Sequence, residues 1–201
     1  MTVFRKMVFA ALGIIGFIGA SCGAYAGFLQ ITGNFHSVID GQFYRSAQPT
    51  SEDLASYVRT HGIKTVINLR GKHPGSAWYD NEVKSAQELG LTHIDFSMSA
   101  SKAVSANKAE RLVELMASAP KPILIHCLSG SDRSGLAAAL YVRKIAGLDE
   151  ASARSQLSFY YGHIGIPMVS AAYAMDRSWE DIEAQDRNRA QADLVNGSIV
   201  R

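Results

Sequence analysis

Ile123-Leu124-Ile125-His126-Cys127-Leu128-Ser129-Gly130-Ser131-Asp132-Arg133-Ser134-Gly135 is the stretch that decides how this chain is read. It opens as a short apolar run of the kind that forms a buried strand. It reaches His126 and Cys127, passes through a loop centred on Gly130, and enters a helix-forming run from Leu136 to Ile145. A strand feeding a tight loop and then a helix makes an anion site, because the loop N–H groups and the helix N-terminus converge on one point. Cys127 stands at the strand end, where a positive field favours the thiolate. Arg133, at a Cys-x5-Arg spacing, adds a planar fork of donors suited to phosphate oxygens. A thiolate, a phosphate-sized cradle and a guanidinium together describe nucleophilic phosphate chemistry. A buried structural cysteine is the ordinary fate of a lone Cys on a core strand. That reading leaves Gly130, Arg133 and Ser134 unexplained.

The stretch resembles the Cys-x5-Arg-Ser/Thr signature of the cysteine-dependent protein tyrosine phosphatase superfamily. Within it, the chain is similar to atypical dual-specificity phosphatases of a membrane-anchored bacterial type. The resemblance is compound: His126 precedes the Cys, Gly130 lies mid-loop, Ser134 follows the Arg, and the loop joins a strand pattern to a helix pattern. A second segment, Tyr44-Arg45-Ser46-Ala47-Gln48-Pro49, is similar to the Tyr-Arg-Ser-x-Gln-Pro opening of such enzymes from bacteria, fungi and plants. The resemblance extends from Phe43 to Asp176. It implies metal-independent phosphomonoester hydrolysis, with no cofactor, through a phosphocysteine on Cys127. Arg133 would bind equatorial oxygens and stabilise the transition state. The backbone N–H groups of Leu128, Ser129, Gly130, Ser131, Asp132 and Arg133 would supply the other donors, with Gly130 free to take positive φ. Ser134 would hydrogen-bond the Cys127 sulfur and ease its departure in the hydrolytic step.

The leaving oxygen needs a proton, and the same group should later activate water. Dual-specificity phosphatases carry an Asp for this on a loop upstream of the Cys, and Asp95 stands at that spacing. It sits inside a strand pattern, however, and the loop from Ser97 to Ser105 holds no Asp or Glu. Asp132 is the other candidate, since myotubularin-like lipid phosphatases place an Asp immediately before the Arg. Both remain open at this level. Arg70, Lys72 and His73 are expected to form a basic rim that attracts anions, with Lys102 playing that part in the acid-loop position. Tyr160-Tyr161-Gly162-His163 is expected near one wall of the pocket, with core packing of its two Tyr rings the plainer reading. His36, His61 and His93 are scattered and carry no assignment.

The 201 residues suffice for one ordinary domain and an appendage. Hydrophobic content of 47% with 19% charged residues describes a packed globule. A net charge of +2 is too small to imply nucleic-acid binding. Cys22 and Cys127 are the two cysteines, too few for a zinc site or a disulfide framework. Arg5 and Lys6 precede an uncharged, mostly apolar run from Met7 to Leu29, and about 20 such residues span a bilayer. It reads as a signal anchor, with Ala24-Tyr25-Ala26 offering cleavage as the alternative. Gly13, Gly16, Gly19 and Gly23 would let another helix pack closely. Positive charge before the span keeps the N-terminus inside. The catalytic domain would then lie outside the cytoplasm, in the periplasm of a Gram-negative cell, or be secreted after cleavage.

Beyond residues 1–32, the expected organisation is a phosphatase domain over 33–185 and a polar, fraying tail over 186–201. Gly33 to Gly41 reads as a linker and Phe43 onward as a strand. Thr50 caps a helix to Thr60, which Gly62 closes. Strands over 64–69 and 91–96 alternate with helices over 77–89 and 106–118. A helix capped by Asp149 runs to Ser158 and a last helix from Met168 to Ala184. Strands alternating with helices predict an α/β fold with a mostly parallel sheet flanked by helices and preceded by one N-terminal hydrophobic helix. Ligands in such folds bind at the carboxyl ends of strands, where Cys127 and Arg70 stand. The leading function is phosphotyrosine or other phosphoester hydrolysis on a phosphorylated protein. Its rivals are a phospholipid or phosphoinositide headgroup phosphatase and a catalytically weak phosphate-binding module. A rhodanese-type sulfurtransferase would not be expected to carry the Arg-Ser pair.

Overall fold

The apolar, β-branched runs fold into five short strands: β1 (His36–Ile39), β2 (Phe43–Ser46), β3 (Thr65–Asn68), β4 (Thr92–Asp95) and β5 (Ile123–His126). They form one sheet in the order β1-β2-β5-β3-β4. β2, β5, β3 and β4 run parallel, and β1 lies antiparallel at the edge. The computed structural model describes residues 3–199. One unit of the chain ends at Thr32 and the other begins at Gly33. The first is a single helix, α1 (Val3–Ile31), of which Met7–Ile31 is long and apolar enough to cross a membrane or serve as a signal sequence.

In the second unit, α2 (Ser51–His61) and α3 (Ala77–Glu88) cover one sheet face. The other face carries α4 (Ala106–Ser118), α5 (Asp132–Leu140) with a π-helical continuation over Tyr141–Ile145, α6 (Glu150–Arg154) and α7 (Tyr173–Ile199). The period-2 pattern of β2 and β5 divides their side chains between two cores. Phe43, Ile123 and Ile125 join Leu112, Met116, Leu136 and Trp179. Tyr44 and Leu124 join Leu54, Ile63 and Val66. α2 starts where its chemistry says it should. Thr50 and Asp53 form a reciprocal capping box, and Gly62 ends the helix in the left-handed region.

Several boundaries differ from expectation, each for a physical reason. Residues 33–41 are not only a linker. They contain β1, which turns through Asp40-Gly41 with Gln42 N bonded to Ile39 O at 3.0 Å. The helix capped by Asp149 stops at Arg154 rather than Ser158. Leaving the helix there frees the Gln156 carbonyl for a buried guanidinium, described below. The last helix begins at Tyr173, after Pro167 and an exposed loop, and runs on through the segment expected to fray. Good helix formers such as Glu, Gln, Ala and Arg populate it. Lys144–Asp186, Arg189–Glu110 and Arg187–Glu150 ion pairs lace it to its neighbours.

Candidate active site

β5 delivers Cys127 to the carboxyl edge of the sheet, one residue beyond its last ladder pair, His126 with Ser46 and Asn68. Cys127 is 1% exposed. The loop that follows is held from outside by its carbonyls. Gln48 N donates to Leu128 O at 3.1 Å. Asn34 Nδ2 donates to Ser129 O at 2.9 Å. Arg45 Nη2 donates to Gly130 O and Ser131 O at 2.8 and 2.9 Å. Carbonyls engaged from outside leave the loop N–H groups out of these bonds. Gly130 has φ +75, and a Cβ there would stand 2.6 Å from Ala47 N, so no side chain fits.

Arg45 is the structural key of this loop. It projects from β2 on the same side as Phe43 and is fully buried. Its other nitrogen, Nη1, donates to Gln156 O at 2.8 Å and to Gln156 Oε1 at 3.3 Å. Its guanidinium carbon lies 4.1 Å from the Tyr161 ring centroid. Burial pulls its pKa down to about 10, against the opposing pull of Tyr161, Cys127 and Asp132. Gly135 lets the start of α5 close on this cluster, since a Cβ there would lie 2.9 Å from Gln156 O and 3.1 Å from Arg45 Nη2.

Arg133, in the first turn of α5, bonds Leu69 O at 3.4 Å and Met98 O at 3.3 Å, both near the long limit of such contacts. Arg70 follows directly in the chain from Leu69. It lies 3.5 Å over the Trp78 ring and donates to Gln48 Oε1 at 2.8 Å. Burial and the charge of Arg133 lower its pKa, against Glu82 and Cys127. Of the expected basic rim, Arg70 is therefore a fixed, partly buried group, while Lys72 and His73 are exposed. Lys102 is exposed as well.

The two acid candidates are both engaged. Asp95 Oδ1 accepts from Asn68 Nδ2 at 2.9 Å and Oδ2 from Tyr79 Oη at 2.7 Å, which ties β4 to β3 and α3. Asp132 Oδ1 lies 2.8 Å from His163 Nδ1, and His163 Nε2 lies 2.8 Å from Asp176 Oδ2. Arg154 Nη2 completes the row at 2.9 Å from Asp176 Oδ1. A neutral imidazole has one N–H, so with both carboxyls ionised the two bonds call for the imidazolium. Burial alone would lower the His163 pKa, but the bonds and charges of Asp132 and Asp176 outweigh it and raise it. Ser134 departs from expectation. Its Oγ is buried and makes no hydrogen bond, so the bond to the Cys127 sulfur is not formed in this structure.

Behind Cys127, His126 Nε2 and His93 Nε2 lie 3.1 and 2.7 Å from the same oxygen of Glu82, and Gln48 Nε2 donates to the other. Burial would raise the Glu82 carboxyl, but His126, His93 and Gln48 hold it down at about 2. Sequence reasoning missed Glu82 and Asn34 as parts of the site, carried Arg45 only within the Tyr-Arg-Ser-x-Gln-Pro segment and His163 only as part of an expected pocket wall, and left His93 unassigned. Two of them leave a faint signal. Arg45 shares the inward phase of Phe43, and Glu82 lies on the same α3 stripe as Tyr79 and Ala86. Nothing local marks Asn34 as a support of the catalytic loop, since its Ser129 partner lies 95 residues away.

The family model described as "DSP-PTPase phosphatase fused to NAD+ Kinase" matches residues 31–165, more than half of the chain. No curated protein matches. Among solved structures, TpbA of P. aeruginosa superposes with a TM-score of 0.55 at 22% identity, covering 76% of this chain and 92% of that one. The core catalytic domain of the PP-IP phosphatase SIW14 from S. cerevisiae gives 0.56 at 18% identity, covering 79% and 93%. PTPMT1 gives 0.54 at 14% identity, covering 77% and 99%. The structural likenesses establish the shared fold, and the match over residues 31–165 places the chain in the family of dual-specificity-type, cysteine-dependent phosphatases.

Proposed function

We propose that this phosphatase works through a phosphocysteine on Cys127. The observation that carries the reading is the arrangement at the end of β5: a buried Cys127, a following loop whose carbonyls are drawn outward, and Arg133 weakly held at its far side. In the first step the Cys127 sulfur would bond to phosphorus as the bond to the leaving oxygen breaks, and Asp132 would give that oxygen a proton. In the second, water would bond to phosphorus, the S–P bond would break to return the thiolate, and Asp132 would take up a water proton. Arg133 would exchange its long bonds to Leu69 O and Met98 O for two phosphate oxygens.

His163 Nδ1, 2.8 Å from Asp132 Oδ1, would hold this carboxyl in place for both steps. The first step asks least of its acid when the leaving group is itself acidic. A phenol, with pKa about 10, suits this better than an alkyl alcohol, so an aryl ester such as phosphotyrosine is the favoured substrate. TpbA has been solved in complex with pTyr, and SIW14 is described as a PP-IP phosphatase, which keeps inositol pyrophosphates in view. A second reading, a phosphorylated lipid headgroup, is favoured by the apolar Met7–Ile31 stretch. With Arg5 and Lys6 ahead of that stretch, the phosphatase unit would lie outside the cytoplasm.

The test is phosphate release from an aryl phosphate across pH by the full chain and its variants. Asp132→Asn should lose activity by about 10²–10⁴-fold together with its pH dependence, while Asp95→Asn keeps the profile. The reverse pattern moves the proton transfer to Asp95. Wild-type protein that binds phosphate but releases none, from aryl or lipid esters, would be a binding module instead.

A further inference from the structure

We propose that the apolar rim formed by Ile164, Ile166, Met168 and Val169 docks on the surface of the bilayer that the N-terminal helix enters. The inference rests on Met7–Ile31 being a retained span. These four side chains are 50%, 48%, 102% and 78% exposed. Single exposed apolar residues are ordinary, but four within six residues concentrate apolar surface on one short segment, as interaction surfaces do. Met168 also holds a positive φ of 62 without being glycine, a backbone state uncommon for such residues. Arg177 is exposed and shares a cleft with Met168 and Val169, where a long cation can reach lipid phosphates while its stem lies on apolar surface.

The occupant follows from chain connectivity. Asn34 Nδ2 bonds both Ser129 O of the catalytic loop and Tyr161 O, just before the rim, at 2.9 Å each. Asn34 stands three residues after Ile31, the last residue of the apolar stretch. At about 3.3–3.6 Å per residue, that tether reaches about 10 Å, whatever direction the helix takes. Apolar side chains of interfacial segments sink about 5–10 Å into the headgroup boundary. A span ending at Ile31 therefore keeps both the catalytic loop and the root of the rim within reach of the interface. The rim then holds the mouth of the site toward phosphoesters displayed on that surface, and a soluble protein partner would have to compete with the bilayer for it.

Full-length protein reconstituted in phosphatidylcholine vesicles tests this by fluorescence quenching. Met168→Trp and, separately, Val169→Trp add one indole to the background of Trp78 and Trp179. Lys84→Trp, on α3 across the sheet and 73% exposed at the side chain, is the control. With acyl chains brominated near the headgroups, the added emission at 168 or 169 should fall by about half or more, and that at 84 should not. Equal quenching at all three sites, or none at 168 and 169, overturns the proposal and leaves the rim to a protein partner. The readout needs no turnover, so it stands apart from the hydrolase reading. All three variants should keep wild-type hydrolysis of a soluble aryl phosphate.

Discussion

Arg45→Met is the perturbation with the most to say about how the catalytic loop is held. The substitution keeps much of the side-chain length and removes every donor. Four hydrogen bonds to Gln156, Gly130 and Ser131 disappear. At about 1.5 kcal/mol each for bonds from a charged donor, that is ~6 kcal/mol. Against this, burial outweighs the pull of Tyr161, Cys127 and Asp132 and lowers the guanidinium pKa to about 10, a net cost of ~3 kcal/mol for the buried charge that the variant recovers. The expected net loss is ~3 kcal/mol, read as a shift in the urea midpoint of the full chain in detergent, with the buried Trp179 as reporter. Activity should fall further than stability alone requires. The Gly130 and Ser131 carbonyls lose their anchor, and a shift of about 1 Å in such a constellation costs about 10²-fold. Arg45→Lys keeps the charge but not the planar fork, so it should recover little activity. A variant within 1 kcal/mol and threefold of wild type would refute the view that Arg45 shapes the loop.

Three further outcomes are expected. Glu82→Gln should remove an acid-sensitive part of stability. The Glu82 pKa is depressed from 4.5 to about 2, so its contribution of ~3 kcal/mol is present above about pH 4.5 and lost as pH falls toward 2. The stability difference between wild type and variant should shrink over that window. For His163→Gln the sign is opposite. The folded pKa lies above 6.5, so wild-type protein should hold its full advantage below pH 6.5 and lose it as pH rises through the raised value, with an alkaline fall in kcat that the variant lacks. Gly130→Ala should cost ~1–3 kcal/mol and most of kcat, because φ is +75 and the new Cβ would press on the Ala47 amide; a variant with unchanged kinetics would contradict this.

What was legible in the sequence is what local physics writes locally. The run from Ile123 to Gly135 carries strand, turn and helix signals in order, and Thr50, Asp53 and Gly62 announce both ends of α2. The parallel sheet follows from that alternation, and with it the placement of Cys127 and Arg70 at carboxyl ends. The rest depends on partners brought together from afar. Arg45 meets Gln156 across 111 residues, and that bond decides where α6 stops. His163 meets Asp132 across 31 residues and changes Asp132 from an exposed loop carboxylate into one end of a charged row. β1 was hidden because four residues at a sheet edge carry too little pattern to stand out from a linker. α7 outran its expected end because helix formers and cross-helix ion pairs sustain a polar segment that hydrophobicity alone would let fray.

The central claim is that Cys127 carries the phosphoryl group. Rapid acid quench of the full chain turning over an aryl phosphate, followed by peptide mass measurement, tests it most directly. The account predicts phosphate on the peptide containing Cys127, none in Cys127→Ser, and a loss of phosphate release in that variant of about 10⁴-fold or more. Retained turnover in Cys127→Ser, or phosphate on another residue, would contradict it.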